Sequence, residues 1–322
     1  MGDNTEFTIE ALKQKQSLPL EAKVVLTQKR VEEWYNHWDG EVYLSFSGGK
    51  DSTVLKHIIE NTSGVYDVPS VFFNTGLEYP EIQEFVRSQN NVTIIRPEKS
   101  FKQVIDECGY PIISKEIAET ILYARRSIES GGKKYKYALD KLNGTLMSKE
   151  TGKPAIYNCP KWKFLLDAPF KISHECCKFL KKNPAKKYGK ETNRKPITAT
   201  MACESMRRKS QWLQHGCNGF NMKSPISNPM SFWTEQDVLK YLYEYKIPYC
   251  KIYGEIDKNF NDEYRLTGVN RTGCMFCMFG VQLEKTPNRF QRMKESHPQL
   301  YKYCMEKLGI KEVLEFLNID YE

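Results

Sequence analysis

The chain has 322 residues, 40% of them hydrophobic and 12% aromatic, with a formal net charge of +8. That length suits one large domain with an appendage, or two modest domains. No run reaches the ~18 consecutive apolar residues of a helical membrane span. The opening MGDNTEFTIEALKQKQ is too polar for a secretory signal, and Glu6 stands where an N-myristoylation motif needs Ser or Thr. A cytoplasmic protein with no membrane attachment is expected.

The charge excess is local. Lys178, Lys181, Lys182, Lys186, Lys187, Lys190, Arg194 and Lys195 face only Glu191 within one short stretch. Such a run is either a solvated face or a platform for phosphates, of a nucleotide or of nucleic acid.

In chain order, residues 20–38 space their apolar side chains as a helix does, with Pro19 just before. Asp39-Gly40 breaks that helix, and 41–46 reads as the first strand, with a helix over 51–60. SVFF (70–73) is a second strand, and Pro80 opens a helix through Arg87. VTII (92–95) is a third strand, with a helix following Ser100. Strands alternating with helices predict βαβ units, hence an α/β fold with a doubly wound, mainly parallel sheet. Segments around 197–200 and 225–226 are candidates for further strands. From about 123 to 162 the periodicity dissolves into a Lys-, Ser- and Gly-rich stretch, expected as an insertion or mobile segment. A helix follows Thr234, and the tail from Thr286 is helical again. The expected division is a helical lead-in (1–40), a nucleotide-binding domain (41–270) and a cysteine-bearing helical C-terminal extension (271–322).

SFSGGKDS (45–52) follows the first strand. A Walker A loop is excluded, since Gly49-Lys50 is followed by Asp51 and Leu44 stands where its first glycine belongs. What remains is a glycine turn entering a helix N-terminus, where free amides and the helix dipole hold an anion. Ser47 and Ser52 add hydroxyls, and Lys50 a point charge.

These residues resemble the PP-loop of ATP pyrophosphatases and of the phosphoadenosine-phosphosulfate (PAPS) reductase family. Phe73-Asn74-Thr75-Gly76 with Glu78-Tyr79-Pro80-Glu81 is similar to that family's D-T-G…P-E-T segment, with Asn74 in place of the usual Asp. Glu204, Ser205 and Arg208 match its G-x-R-R-x-[EQ]-S-x-x-R stretch, whose first arginine pair has no counterpart here. Residues 229–238 fit its W-x-x-x-D-V helix start. The resemblance implies an adenine nucleotide alpha-hydrolase-like fold. It implies nucleotide binding by Ser45, Ser47, Gly48, Gly49, Lys50, Asp51, Ser52, Asn74, Thr75 and Gly76, and catalysis by Lys50, Asp51 and Arg208.

Ten cysteines in a chain expected to be intracellular point to metal or thiol chemistry rather than to structural disulfides. Cys176-Cys177 and Cys274-x-x-Cys277 offer four thiolates, which suit an iron–sulfur cluster or zinc. Alone, the C-x-x-C could equally be a redox pair, half a zinc site or buried thiols. The CC…C-x-x-C arrangement resembles the [4Fe-4S] ligands of adenylylsulfate reductases and of the iron–sulfur protein of Dnd-type DNA phosphorothioation. Lys178 and Arg271 flank it and could place positive charge between cluster and nucleotide. Cys203 is either a sulfur acceptor near the nucleotide or a plain buried thiol. Cys304 and His174 read as structural.

The reductases of this family use a nucleophilic cysteine in an E-C-G-x-H tail, and no cysteine follows Cys304. That turns the expectation towards ATP with Mg²⁺. The loop would hold the departing pyrophosphate while an acceptor is activated for sulfur insertion. The acceptor expected is nucleic acid, DNA before tRNA, gripped by Lys178, Lys181, Lys182, Lys186 and Lys187. A cysteine desulfurase would supply sulfur and cluster, and a homodimer is compatible. Trp162, Tyr135 and Tyr137 are candidates for base stacking or ordinary surface aromatics. The alternatives are a PAPS or adenylylsulfate reductase, and a nucleotide-binding redox sensor without catalysis.

Overall fold

The structure, a computed structural model, describes residues 7–322. The acylation reading at Glu6 and the first residues of the lead-in lie outside that range. No helix among the described residues is long and apolar enough to cross a membrane. The elements run α1 (Ile9–Gln16), α2 (Leu20–His37), β1 (Val42–Ser45), α3 (Lys50–Glu60), β2 (Ser70–Phe73), α4 (Pro80–Ser88) and β3 (Val92–Ile95). Then come α5 (Phe101–Cys108), β4 (Ile112–Ile113), α6 (Lys115–Glu129), α7 (Lys136–Asn143), α8 (Asn183–Glu191) and β5 (Lys195–Ile197). The chain continues through α9 (Met206–His215), β6 (Asn218–Gly219), β7 (Ile226–Ser227), α10 (Glu235–Glu244), β8 (Ile256–Lys258) and β9 (Tyr264–Leu266). It closes with β10 (Met278–Phe279), α11 (Arg289–Ser296), α12 (Pro298–Lys302) and α13 (Ile310–Phe316).

The chain packs into two compact units, and neither is a continuous stretch. Of the described residues, the first comprises 7–74, 78–96 and 184–272. Its six-stranded sheet has the order β3-β2-β1-β5-β7-β6, with every pairing parallel except β6 with β7. β2 (SVFF) is buried at all four positions, as a strand covered on both faces requires. β3 is half exposed, as an edge strand can be. The expected α/β fold with a mainly parallel sheet is therefore the one observed.

The opening helices belong to this unit's core. Leu12, Leu20, Val31 and Trp34 pack in one buried cluster with Leu44, Leu55, Ile58 and Trp233. Lys23, only 2% exposed, donates to Asp237 Oδ2 at 2.7 Å. The same oxygen accepts from the Thr234 amide and hydroxyl at the start of α10. Thr27 Oγ1 accepts from Trp233 Nε1 at 2.8 Å.

The second unit comprises residues 75–77, 97–183 and 273–322. β4 and β10 pair in parallel, bringing the segment after Cys277 beside Ile112-Ile113. The stretch expected to be irregular from 123 to 162 carries the end of α6 and all of α7, with Ala138 and Leu142 fully buried. Its glycines mark helix ends: Gly144 takes φ +75° at the C-terminus of α7, as a left-handed cap does.

Candidate functional site

Strand order reverses on either side of β1: β2 and β3 lie to one side, β5 and β7 to the other. In an open parallel sheet the crevice outside the carboxyl ends at such a reversal is where ligands bind. The segment after β1 is Ser47–Asp51, and that after β5 leads to Met201–Glu204. Both line one cavity of about 250 Å³. Glu235 at the start of α10, Tyr253, Arg271 and Thr272 complete its wall.

The loop is built by its glycines. Gly48 has φ +70°, and a side chain there would press within 2.6 Å of Val86 Cγ2. Gly49 precedes the first turn of α3, and its carbonyl accepts from Ser52 Oγ at 2.9 Å and Thr53 Oγ1 at 3.1 Å. Ser47 Oγ lies 3.0 Å from Ser52 Oγ and accepts from the Gly49 amide. The expected residues Ser47, Gly49, Lys50 and Asp51 thus meet at the cavity, with Gly48 and Ser52 shaping the loop behind them. Ser45 is the last residue of β1, in register with Val71, and does not line the cavity. Asn74, 5% exposed, follows β2, where its amide donates to Ile95 O and its side chain to Gln83. Thr75 and Gly76 belong to the second unit.

Lys50 is 4% exposed. Its ammonium donates to Asn270 O at 3.1 Å and lies 3.2 Å from Glu235 Oε1 and 3.8 Å from Asp51 Oδ1. Burial raises the pKa of Asp51 above its ordinary value. Lys50 opposes that shift, Glu235 adds to it, and Arg271 and Arg208 oppose it. Asp51 Oδ1 is buried without a hydrogen-bond partner. Arg208 is ion-paired with Glu204, and burial followed by Arg271 lowers its pKa. Cys203 is exposed at the cavity wall, which corrects the reading of it as a plain buried thiol. The turn after β5 carries it outward, where its Sγ donates to Trp233 O at 3.4 Å.

The second unit gathers the four expected thiols. Cys176 and Cys177 have their sulfurs 3.9 Å apart. The Cys177 pKa is lowered to about 5, first by the hydrogen bond from Cys176 and then, against burial, by Lys115 and Lys181. Cys176 is pushed far up, by that same bond, by burial and by the nearby Cys177, Cys277 and Cys274 sulfurs. The four sulfurs are therefore electrostatic neighbours. Among the described residues no three His, Cys, Asp or Glu side chains converge as a single-ion site does. Arg289 Nη1 donates to Cys277 O at 2.7 Å, steadying the C-x-x-C turn.

Lys181, Lys182, Lys186 and Lys187 are exposed along a π-turn (Lys178–Lys182) and α8, while Lys178 pairs with Glu175 at 2.6 Å. Tyr135 stacks on Tyr123 at 4.6 Å, which occupies one of its faces. His174 lies 3.8 Å from Glu119, and Cys304 is fully buried. Nothing in the sequence marks Tyr253, Asn270 and Thr272 as site residues. Glu235 has only a local signal, as the first residue after the Thr234 cap.

A crystal structure of phosphoadenylyl-sulfate (PAPS) reductase from Candida auris, in a phosphate complex, is similar to this chain at 15% identity. The match covers 80% of this chain and 97% of that one, with a TM-score of 0.39. Among curated proteins no relative matches. The profile of the phosphoadenosine phosphosulfate reductase domain matches residues 41–116 and 131–278, more than half of the chain. The sheet reversal, the glycine loop at its carboxyl edge and this match lead to one conclusion: the chain belongs to the phosphoadenosine phosphosulfate reductase domain family.

Proposed function

We propose that this protein is an ATP pyrophosphatase-type enzyme that activates a nucleic-acid acceptor for sulfur insertion, with the DNA backbone favoured over tRNA. The observation that carries the choice of ATP is the pair of carboxylates, Asp51 and Glu235, beside a phosphate-holding loop. Two carboxylates repel a bare sulfonucleotide, but they suit a triphosphate carried with a divalent cation. Asp51 and Glu235 would hold Mg²⁺, which would neutralise charge on the phosphate oxygens. Lys50 and the first amides of α3 would bind the β- and γ-phosphates, leaving the α-phosphorus open to an acceptor oxygen while pyrophosphate departs. Arg208 and Arg271 add positive charge at the same cavity.

Cys176, Cys177, Cys274 and Cys277 would hold a [4Fe-4S] cluster, which would supply redox or sulfur chemistry. Exposed Lys181, Lys182, Lys186 and Lys187 fit a polyanionic acceptor. The test is pyrophosphate release from Mg²⁺-ATP by anaerobically purified protein, with duplex DNA or tRNA, cysteine and a cysteine desulfurase. Acceptor-stimulated release with sulfur incorporated is the expected result. Release of neither pyrophosphate nor thiolated product rejects this reading and favours the redox sensor.

One observation favours a second reading. The Cys203 thiol, exposed at the cavity wall, would serve as the nucleophile for a sulfonucleotide, with Arg271 opposing the upward pull of burial on its pKa. Sulfite released from PAPS or adenylylsulfate with a thiol reductant, and abolished by Cys203→Ser, would establish it.

A further inference from the structure

Tyr253 is 2% exposed, yet its hydroxyl touches the phosphate loop. The Lys50 amide donates to Tyr253 Oη at 3.2 Å, and that oxygen lies 2.7 Å from Thr272 Oγ1. A Cβ placed on Gly49 would lie 3.2 Å from the same hydroxyl. The tyrosine is held from behind, since Gly268 donates to its carbonyl at 2.9 Å and Val269 to that of Ile252 at 3.1 Å. The chain then runs directly on to Asn270, whose carbonyl accepts from Lys50 Nζ, and to Thr272, whose hydroxyl meets Tyr253 Oη.

The Lys50 amide belongs to the first turn of α3 and so has no partner within the helix. In an anion-binding helix N-terminus such amides serve the ligand. Here the acceptor they face is a phenol oxygen. Because that oxygen accepts from Lys50, its own proton is available to Thr272 Oγ1. When a phosphate oxygen takes the Lys50 N–H, Tyr253 and Thr272 retain two hydroxyl protons but need only one for their mutual bond. The other is free to point at the ligand. Burial first of all raises the Tyr253 pKa to about 12, so its proton is present throughout the neutral range.

We propose that Tyr253, with Thr272 as its relay, is a phosphate-binding residue of this site. Its hydroxyl holds the place of a phosphate oxygen on the Lys50 amide, then donates to the pyrophosphate end of the nucleotide. This rests on the loop being a phosphate site, and the experiment separates the two ideas. Inorganic pyrophosphate with Mg²⁺ is titrated calorimetrically into wild-type, Tyr253→Phe and Thr272→Val protein, with thermal melts as a folding check. Tyr253→Phe keeps the ring that covers Lys50, so its melt should match the wild type. Its affinity should fall roughly 10- to 100-fold, the range for a hydrogen bond to a charged group. Thr272→Val should fall less. Unchanged or tighter binding by Tyr253→Phe overturns the proposal, since the hydroxyl would then only be a plug. If wild-type protein binds adenylylsulfate and not pyrophosphate, the ATP reading fails, and the same Tyr253→Phe ratio on adenylylsulfate decides the role of the tyrosine. Wild-type protein that binds neither overturns both.

Discussion

Lys50 Nζ lies 3.2 Å from Glu235 Oε1, so the lysine of the phosphate loop is met by a carboxylate from the start of α10. A buried ammonium is thereby neutralised until a more strongly negative ligand arrives. Lys50→Met should reduce pyrophosphate release by about 10²–10³, the cost of removing a preorganised electrostatic contact. Lys50→Arg should not restore it, because a planar fork cannot take the place of a compact point charge. Steady-state pyrophosphate assays on the two variants check this.

Asp51 links stability and activity in opposite directions. Its folded pKa is raised, mainly by burial. Its contribution to stability is therefore full below the unfolded carboxylate range and is lost as pH rises through the raised folded value. Metal-dependent turnover needs the ionised form and should grow over that same interval. Asp51→Asn should flatten the stability profile, raise the melting temperature of the ligand-free protein at neutral pH, and abolish turnover. Melts and rates measured across pH 4–8 would expose any other pattern.

Gly48→Ala should damage the loop itself. The backbone there is left-handed at φ +70°, and the added methyl meets Val86 Cγ2 and Ile82 Cγ2. A left-handed non-glycine residue costs about 1–2 kcal/mol before any clash. The variant should melt lower and lose pyrophosphate affinity together, measurable by calorimetry on one preparation.

Anaerobically purified protein should be brown, absorbing near ~400 nm as thiolate-bound iron–sulfur clusters do. Cys177→Ser and Cys274→Ser should each bleach it, with iron and sulfide counts falling in step. A colourless protein carrying stoichiometric zinc would sink the cluster assignment.

Changing Lys181, Lys182, Lys186 and Lys187 to Gln should weaken duplex DNA binding most at low salt. The slope of log affinity against log salt should shrink by about 0.9 for each phosphate that the variant no longer neutralises. An unchanged slope would show these side chains to be a solvated face.

The sheet and the loop were legible for local reasons. β1, α3, β2, α4 and β3 follow one another with short connections, so period and punctuation place each within a residue or two. Gly48 announces a left-handed turn, at φ +70°, that glycine makes most easily. Tyr253 and Asn270 were hidden because they reach Lys50 from more than two hundred residues downstream, and Thr272 because it acts through Tyr253, with no periodicity to mark any of them. Helix α7 was hidden by composition: its lysines and flanking glycines mask the Ala138 and Leu142 pair, four residues apart, that buries it. Cys203 shows the reverse limit, since residue type suggested burial and the turn after β5 overrode it.

The Lys23–Asp237 ion pair makes α2 the alignment rod of a residue it never touches. Asp237 ties Thr234, and so the first turn of α10, to a lysine in the opening helix. Glu235 lies in that turn. Losing Lys23 would leave Asp237 with Thr234 as its remaining partner and would unhitch from α2 the turn that aims Glu235 at Lys50. Sequence drift in the opening helix is thus answerable to the site's geometry, and a chain shortened past Asp39 would lose its bearing on the phosphate loop as well as part of its core.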